Sequence, residues 1–283
     1  MQQAETTAEE NIRAYEDAEA EAAEVQAKAS KPVVDKRFPV MEIFGPTIQG
    51  EGRLCGVQTL FIRFGGCDYR CKMCDSMHAV LPSLVQEHSK RMTTDEIIQS
   101  VRKLVEKTWV GWITLSGGNP AMHKLEPLVN RLQLELGLAV AVETQGSLYA
   151  DWLSNCNSLC ISPKAPGMGA EFELDKFEDF VPLLAFDHVY VKVVVFNALD
   201  VDFCVALTKR FAVLRQPGKF YISLGNPMPP EAKGGPTHQL FDTVDLVSNY
   251  EILMEEVLQN NHLRFATILP QVHVVIWGNK QGV

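Results

Sequence analysis

Apolar and polar positions alternate along the chain with two different periods. Residues 57–64 alternate and are rich in β-branched and aromatic side chains, which predicts a strand. Residues 94–107 repeat apolar side chains three and four positions apart, which predicts a helix capped by Thr93 or Thr94. The same reasoning predicts strands at 112–115, 138–142, 159–161, 188–196 and 219–224, helices at 125–136, 172–185, 200–211 and 237–261, and an extended segment at 265–277 with a break at Pro270.

Predicted strands and helices alternate through most of the chain. That order predicts parallel βαβ units in an α/β fold. Each polar motif that stands out follows a predicted strand directly. Because the loops at the carboxyl ends of parallel strands converge, ligands bind there, and we expect these motifs to share one site.

The negative charge of the chain is concentrated at its beginning. Residues 1–30 carry eight acidic and two basic side chains, so they account for −6 of the formal net charge of −9. This stretch has almost no large apolar residues and cannot supply a core. We therefore predict that residues 1–35 are a flexible or partly helical extension and that residues 36–283 form the folded domain. The acidic balance disfavours direct nucleic-acid binding.

The overall composition is that of a globular protein, with 46% hydrophobic and 22% charged residues. No apolar run approaches the roughly 20 residues of a membrane span, and the pattern of a secretory signal is not found at the beginning of the chain. The seven cysteines are an odd number, which argues against a disulfide framework. Reduced thiols predict a cytoplasmic location.

Three of the cysteines lie close together after the first predicted strand. Cys67, Cys71 and Cys74 have the spacing C-x3-C-x2-C. Three thiolates are one fewer than the four of a structural zinc site or a complete iron–sulfur site, so they leave a metal position open. The spacing favours an iron–sulfur cluster, and a zinc site with His78 or Asp75 as fourth ligand is the alternative.

Further motifs follow other predicted strands, and each also has an ordinary explanation as a turn. Residues 116–120 are Ser-Gly-Gly-Asn-Pro, 143–147 are Glu-Thr-Gln-Gly-Ser, and 162–164 are Ser-Pro-Lys. Glycine pairs let backbone approach a ligand closely. Upstream, Glu51 lies between Gly50 and Gly52, and the amide of Gln49 precedes them, a combination that suits a loop hydrogen-bonded to the edge of a heterocycle.

The cysteine spacing, with Met73 before the last cysteine, resembles that of the radical SAM enzymes. Residues 42–52, Arg63, residues 75–76 and residues 269–283 together resemble one family among them, the 7-carboxy-7-deazaguanine synthases. In the radical SAM enzymes the run at 116–120 usually contains Gly-Gly-Glu-Pro, so Asn119 departs from the pattern. The resemblance implies an abbreviated, TIM-like barrel of parallel strands with outer helices.

The resemblance also implies a reaction of 7-deazapurine (queuosine-type) biosynthesis. Members of the family are lyases that convert 6-carboxy-5,6,7,8-tetrahydropterin to 7-carboxy-7-deazaguanine and ammonia by a radical ring contraction. The implied cofactors are a [4Fe–4S] cluster, S-adenosyl-L-methionine and Mg²⁺. The implied partners are an electron donor, such as a flavodoxin or ferredoxin, and a second copy of the chain in a homodimer.

Residue roles are implied position by position. Cys67, Cys71 and Cys74 would ligate the cluster, and the Ser76 hydroxyl would bind Mg²⁺ or cap a helix. Contacts to S-adenosylmethionine are implied for Met73, Cys74, Asp75, Gly118, Glu143, Ser162, Pro163 and Lys164. Contacts to the pterin are implied for Ile48, Gln49, Gly50, Glu51, Arg63, Ser116, His273 and Val283. No side chain is assigned as catalytic, because the cofactors carry the chemistry.

Two other classes of protein share part of this pattern. An activating enzyme that makes a glycyl radical on a partner protein would have the cysteine spacing but not the Gln-Gly-Glu-Gly run at 49–52 or the segment 277–283. A zinc-stabilised protein without catalysis would leave the strand-end motifs unexplained.

Overall fold

A computed structural model describes residues 36–226, 243–278, 280 and 282, with side chains undescribed at 243–245. In this part of the chain nine strands form one sheet. Their bounds are β1 (Phe38–Ile48), β2 (Gln58–Phe64), β3 (Lys90–Met92), β4 (Trp112–Gly117), β5 (Ala139–Thr144), β6 (Ser158–Ile161), β7 (Val189–Val195), β8 (Phe220–Leu224) and β9 (Thr267–Pro270).

The sheet is parallel except at one edge. Strands β2, β4, β5, β6, β7, β8 and β9 lie side by side in that order and pair in parallel. Beyond β2, β1 and then β3 pair in antiparallel. Among the described residues β9 pairs with β8 alone, so the sheet does not close by strand pairing. The predicted α/β fold with an incomplete barrel is confirmed.

Loops bring the two ends of this sheet together. The backbone N–H of Val272, just after β9, donates to the carbonyl of Gly50, just after β1, at 3.0 Å. Next to this contact the side-chain amide of Gln271 donates to the carboxylate of Glu51 at 2.9 Å. The sheet therefore curves into a partial barrel whose carboxyl end is completed by loops.

Helices pack on the outside of the sheet. They are α1 (Pro82–His88), α2 (Thr94–Thr108), α3 (Glu126–Leu134), α4 (Leu174–Phe177), α5 (Ala198–Arg210), α6 (Thr243–Gln259) and α7 (Val272–Trp277). A capping box starts α2, because the Thr93 hydroxyl accepts from the N–H of Glu96 while the Glu96 carboxylate accepts from the N–H of Thr93. None of the described helices combines the length and apolar character that crossing a membrane requires.

The core lies between the helices and the strands. Leu60 and Ile62 of β2, Ile113 and Leu115 of β4 and Val191 of β7 are fully buried. These side chains fix the strands, so the polar residues that follow them are presented from a rigid edge.

Most predicted elements are confirmed with shifts of a few residues at their ends. The single helix predicted at 172–185 is wrong. Only α4 is α-helical there, and Glu178–Ala185 continues as a 3-10 helix that contains Pro182. Proline has no N–H for an α-helical hydrogen bond, so the regular helix cannot continue through it.

The extended segment predicted through residue 277 is also wrong in its second half. Pro270 ends β9, and α7 begins at Val272. Strand β1 has no counterpart in the sequence prediction, because Gly45 and Pro46 interrupt its alternation. The predicted extension at 1–35 and the beginning of the helix predicted at 237–261 lie outside the described residues.

Candidate active site

A cavity of about 250 Å³ lies at the carboxyl edge of the sheet. The predicted site residues that line it are Ile48, Gln49, Gly50, Glu51, Arg63, Cys67, Cys71, Met73, Cys74, Asp75, Ser76, Ser116, Gly118, Glu143, Ser162, Lys164 and His273. Pro163 is buried but does not line the cavity, and Val283 lies outside the described residues. The fold thus brings nearly all predicted residues to one place, while their individual roles stay predictions.

The cysteine loop (residues 65–76) is held against the segment that follows β6. The N–H groups of Lys72 and Met73 donate to the carbonyl of Met168 at 2.8 and 3.3 Å. That segment is fixed by the buried carboxylate of Asp200, which accepts from the N–H of Gly167 at 2.6 Å. The cysteine loop and the segment after β6, which are separate in sequence, therefore form one continuous side of the cavity.

The three cysteines of this loop are free thiols that face one cavity. Burial raises the pKa of Cys71, against the attraction of Lys164. Burial, together with the neighbouring carboxylate of Asp75, raises the pKa of Cys74 to about 12. The Cys71 and Cys74 thiols therefore hold their protons until a metal centre displaces them.

No preformed site for a single metal ion is found among the described residues. In the described part of the chain, no three His, Cys, Asp or Glu side chains lie close enough together to hold one metal ion. A [4Fe–4S] cluster needs a wider ligand set, because each thiolate binds a different iron. The zinc alternative, with His78 or Asp75 as fourth ligand, finds no preformed ligand set here.

Glycine after β4 allows the strand-end loop to touch the cysteine loop. A Cβ atom at Gly118 would lie 2.0 Å from the carbonyl oxygen of Gly66, so no larger residue fits. The N–H of Asn119 donates to the same oxygen at 2.8 Å. Nearby, the buried Ser116 hydroxyl has no hydrogen-bond partner within the described residues. A buried hydroxyl of this kind suits a contact to a bound ligand.

A buried network of charged and amide groups forms another part of the wall. The Lys192 ammonium lies 2.5 Å from the Glu51 carboxylate and 3.6 Å from that of Glu143. The Gln271 amide donates to Glu51 at 2.9 Å, and the Gln49 amide donates to Glu143 at 3.3 Å. Glu51 is 8% exposed and Lys192 4%, so the two charges depend on each other rather than on water.

In this network the attraction between opposite charges outweighs the effect of burial on the pKa values of Glu51 and Lys192. Burial by itself would raise the pKa of Glu51, but the charge of Lys192, with smaller contributions from His273 and two hydrogen bonds, lowers it to about 2. Burial would lower the pKa of Lys192, but Glu143 and Glu51 raise it well above its usual value. Both groups are therefore charged at neutral pH, and the Glu51 carboxylate can only accept hydrogen bonds.

Arg63 connects the cysteine loop to β1. Its Nε donates to the Glu42 carboxylate at 2.6 Å and its Nη1 to the Ser76 hydroxyl at 3.0 Å. The Ser76 hydroxyl donates in turn to Asp75 at 2.9 Å. The guanidinium carbon lies 6.0 Å from the centre of the Phe44 ring. These two hydrogen bonds use two of the five N–H donors of a guanidinium, which leaves a fork for a carboxylate ligand.

His273 reaches the cavity because residue 50 is glycine. A Cβ atom at Gly50 would lie 2.2 Å from the Nδ1 atom of His273. A larger residue at this position would push the C-terminal segment away from the cavity.

The sequence prediction gives no individual role to several other residues that line the cavity. They include Phe44, Phe61, Gln145, Lys192, Asn226 and Gln271. Lys192 has a signal in the sequence, because it is the only charged residue in the apolar run of β7, and a charge there is costly unless it is paired. Phe44 and Gln271 lie in the runs 42–52 and 269–283 that carry the resemblance, but only the fold shows that their side chains line the cavity.

Known proteins resemble this chain in sequence and in fold. Residues 61–166 match the radical SAM superfamily. The 7-carboxy-7-deazaguanine synthase of Bacillus subtilis (strain 168) is 36% identical over 256 residues, which cover 88% of this chain and 99% of that protein. The enzyme of the same name from Bacillus cereus is 34% identical over 250 residues, 87% of this chain and 99% of that protein.

Among solved structures, the crystal structure of QueE from Escherichia coli has a TM-score of 0.59, with 20% identity, over 86% of this chain and all of that chain. This likeness supports the fold. The superfamily match contains the cysteine loop and implies a [4Fe–4S] cluster and S-adenosylmethionine as cofactors. Identity above 30% over nearly the whole length of two relatives shows that this chain belongs to the 7-carboxy-7-deazaguanine synthase family of radical SAM enzymes.

Proposed function

We propose that the chain converts 6-carboxy-5,6,7,8-tetrahydropterin to 7-carboxy-7-deazaguanine and ammonia in the biosynthesis of 7-deazapurines. The observation that supports this most is that one cavity joins the three cysteines to Gln49, Glu51 and Arg63. A radical enzyme must keep its cofactors and its substrate in one enclosed space, because reactive species are otherwise lost to side reactions.

Cys67, Cys71 and Cys74 would hold the cluster. The proposed contacts to S-adenosylmethionine are Met73, Cys74, Asp75, Gly118, Glu143, Ser162, Pro163 and Lys164. The Lys164 ammonium lies 3.3 Å from the Ser162 hydroxyl, and this pair of donors suits the carboxylate of the methionine moiety. When bound, the cluster and S-adenosylmethionine supply the radical chemistry that starts the rearrangement.

The pterin would be recognised by opposite kinds of groups at its two ends. Arg63 supplies a fork of donors that suits the substrate carboxylate. The ionised Glu51 and the amide of Gln49 suit the N–H donors and the carbonyl of the pterin ring. Phe44 and Phe61 stack with ring centres 5.2 Å apart and line the cavity, where their faces exclude water.

The remaining proposed pterin contacts are Ile48, Gly50, Ser116, His273 and Val283. The charge network fixes Glu51 and Glu143 in place before the substrate arrives. A site that is organised in advance does not spend binding energy on ordering its own side chains.

Mg²⁺ would bind at Ser76. This residue precedes a 3-10 helix, yet its side chain makes no capping hydrogen bond, so capping does not account for the hydroxyl. Ser76 lies within hydrogen-bond distance of Asp75 and Arg63. A hydroxyl beside a carboxylate suits Mg²⁺, which keeps several waters and takes further oxygens from the substrate.

Membership of this family also suggests the electron donor, the oligomeric state and the location of the protein. We expect a flavodoxin or ferredoxin as electron donor, a homodimer, a cytoplasmic location and a division into residues 1–35 and 36–283. The free thiols that the cluster needs persist in reducing compartments, which supports the location.

The proposal is tested by reconstituting the purified protein anaerobically with iron and sulfide. The assay then supplies reductant, Mg²⁺, S-adenosylmethionine and 6-carboxytetrahydropterin, and mass spectrometry measures 7-carboxy-7-deazaguanine. We expect product from the natural chain and none from Cys71→Ala. The matched control is Cys156→Ala, which removes a buried thiol away from the cavity.

The other classes predict different results. A glycyl-radical activating enzyme would bind a cluster and cleave S-adenosylmethionine without forming this product. A zinc-stabilised protein would bind zinc, stay colourless and leave S-adenosylmethionine intact. Either result contradicts the proposed reaction.

A further inference from the structure

Two buried amides hold the carboxylate next to the first cysteine of the cluster motif. The side-chain nitrogens of Asn119 and Gln145 both donate to the same oxygen of Asp68, at 2.9 and 2.6 Å. Asn119 is 0% exposed and Gln145 4%, whereas Asp68 is exposed. The two buried donors follow the ends of β4 and β5, so their hydrogen bonds to Asp68 tie the cysteine loop and the two amides into one fixed arrangement.

The orientation of the Asn119 amide is determined by its other contacts. Its oxygen accepts from the Thr144 hydroxyl at 2.8 Å and from the N–H of Ala121 at 3.2 Å. With the oxygen committed to two donors, the nitrogen must face Asp68. A glutamate, which radical SAM enzymes usually have at this position, would instead bring a second negative charge towards Asp68. Asn119 and Asp68 therefore form a matched pair in this chain.

Gln145 carries the contact onwards to the cluster motif. The nitrogen that donates to Asp68 also lies 3.4 Å from the sulfur of Cys67. An amide nitrogen has two hydrogens, so one can serve the carboxylate and the other the sulfur. The hydrogen bond to Asp68 thereby determines the direction in which the second hydrogen points.

We propose that Gln145 is a positioning residue that donates a hydrogen bond to the Cys67 thiolate and so sets the reduction potential of the cluster, with Asp68 and Asn119 holding it in place. The proposal rests on the cluster assigned under the proposed function. One electron from the reductant makes the cluster more negative. A donor to a ligating sulfur stabilises that added charge and raises the potential.

The test is a potentiometric titration of the reconstituted protein with dithionite and redox mediators, followed by electron paramagnetic resonance of the reduced cluster, without any pterin. We expect Gln145→Leu to bind the same iron and sulfide per chain as the natural protein. At a fixed potential its ratio of reduced to oxidised cluster should fall about tenfold, which is a shift of about 59 mV for one electron. The control is Gln216→Leu, an exposed glutamine, which should leave the potential unchanged. An unshifted potential in fully loaded Gln145→Leu overturns the proposal.

If Gln145→Leu fails to bind a cluster, the same titration is applied to a single variant and a double variant of the residues that hold Gln145. Asn119→Asp keeps the size of the side chain but opposes two carboxylates, so we expect a lower potential. Adding Asp68→Asn exchanges the amide and the carboxylate across the pair and should restore the potential. No shift in Asn119→Asp, or no return in the double variant, overturns the proposal. Because no pterin is present, a wrong substrate would leave every one of these measurements unaffected.

Discussion

Replacing Lys192 with methionine tests whether the buried charge network holds the site together. The substitution keeps the length of the side chain but removes the charge that lies 2.5 Å from Glu51. In the natural protein the pKa of Glu51 falls from its usual value of 4.5 to about 2. At roughly 1.36 kcal/mol for each pH unit, this net shift corresponds to about 3 kcal/mol of the free energy of unfolding at neutral pH, and Lys192 is its largest favourable cause.

The sign of the pH dependence follows from the same shift. A carboxylate with a lowered pKa stabilises the fold above its usual pKa, and that contribution is lost as the pH falls from about 4.5 towards 2. In Lys192→Met, burial without the cation should raise the pKa of Glu51. At pH 7 the variant then bears the full cost of a buried, unpaired carboxylate. Protonation of Glu51 on acidification removes this cost, so the difference in free energy of unfolding between the two proteins should shrink below about pH 5.

The assay is urea-induced unfolding of the metal-free protein, followed by tryptophan fluorescence at pH 7 and pH 4. We expect Lys192→Met to lose about 3 kcal/mol at pH 7 and clearly less at pH 4. Lys209→Met, on the exposed side of α5, is the matched control and should change stability by less than about 0.5 kcal/mol. A loss below about 1 kcal/mol at pH 7, or one that is the same at both pH values, would refute the reasoning. In Glu51→Gln the further loss caused by Lys192→Met should be smaller, since only the more distant and half-buried carboxylate of Glu143 then remains beside it.

Three further substitutions test separate features. Arg63→Lys should raise KM for the pterin about tenfold or more, because an ammonium cannot replace a bidentate fork; steady-state kinetics would check this, with the exposed Arg210→Lys as control, and an unchanged KM would contradict the carboxylate assignment. Ser76→Ala should abolish the stimulation of turnover by Mg²⁺ while leaving the rate without Mg²⁺ unchanged; a normal Mg²⁺ response would remove Ser76 from the metal site. Thr93→Ala should lower the melting temperature by about 2–4 °C, since losing an N-cap costs about 1 kcal/mol. Thermal unfolding would measure that shift, and Thr94→Ala, which leaves the capping box intact, should show much less of it.

The sequence by itself determined the features that depend on neighbouring residues. The spacing of Cys67, Cys71 and Cys74 needs only a few residues of chain to bring three thiols to one loop. The period of the apolar positions identified β2, α2 and the later parallel strands, because side chains on one face repeat locally. Strand-end motifs could then be assigned to one edge, since parallel strands deliver their carboxyl ends to the same side.

Only the tertiary structure decided which distant groups meet in the cavity. Glu51 lies 141 residues from Lys192 and 220 from Gln271, and no local pattern relates them. Their contact depends on the order of strands in the sheet and on its curvature, which brings the loops after β1 and β9 together. The orientation of Asn119 and Gln145 towards Asp68 likewise depends on neighbouring strand ends. The sequence therefore determined the chemistry that is available, whereas long-range packing decided which groups are paired, charged or open to a ligand.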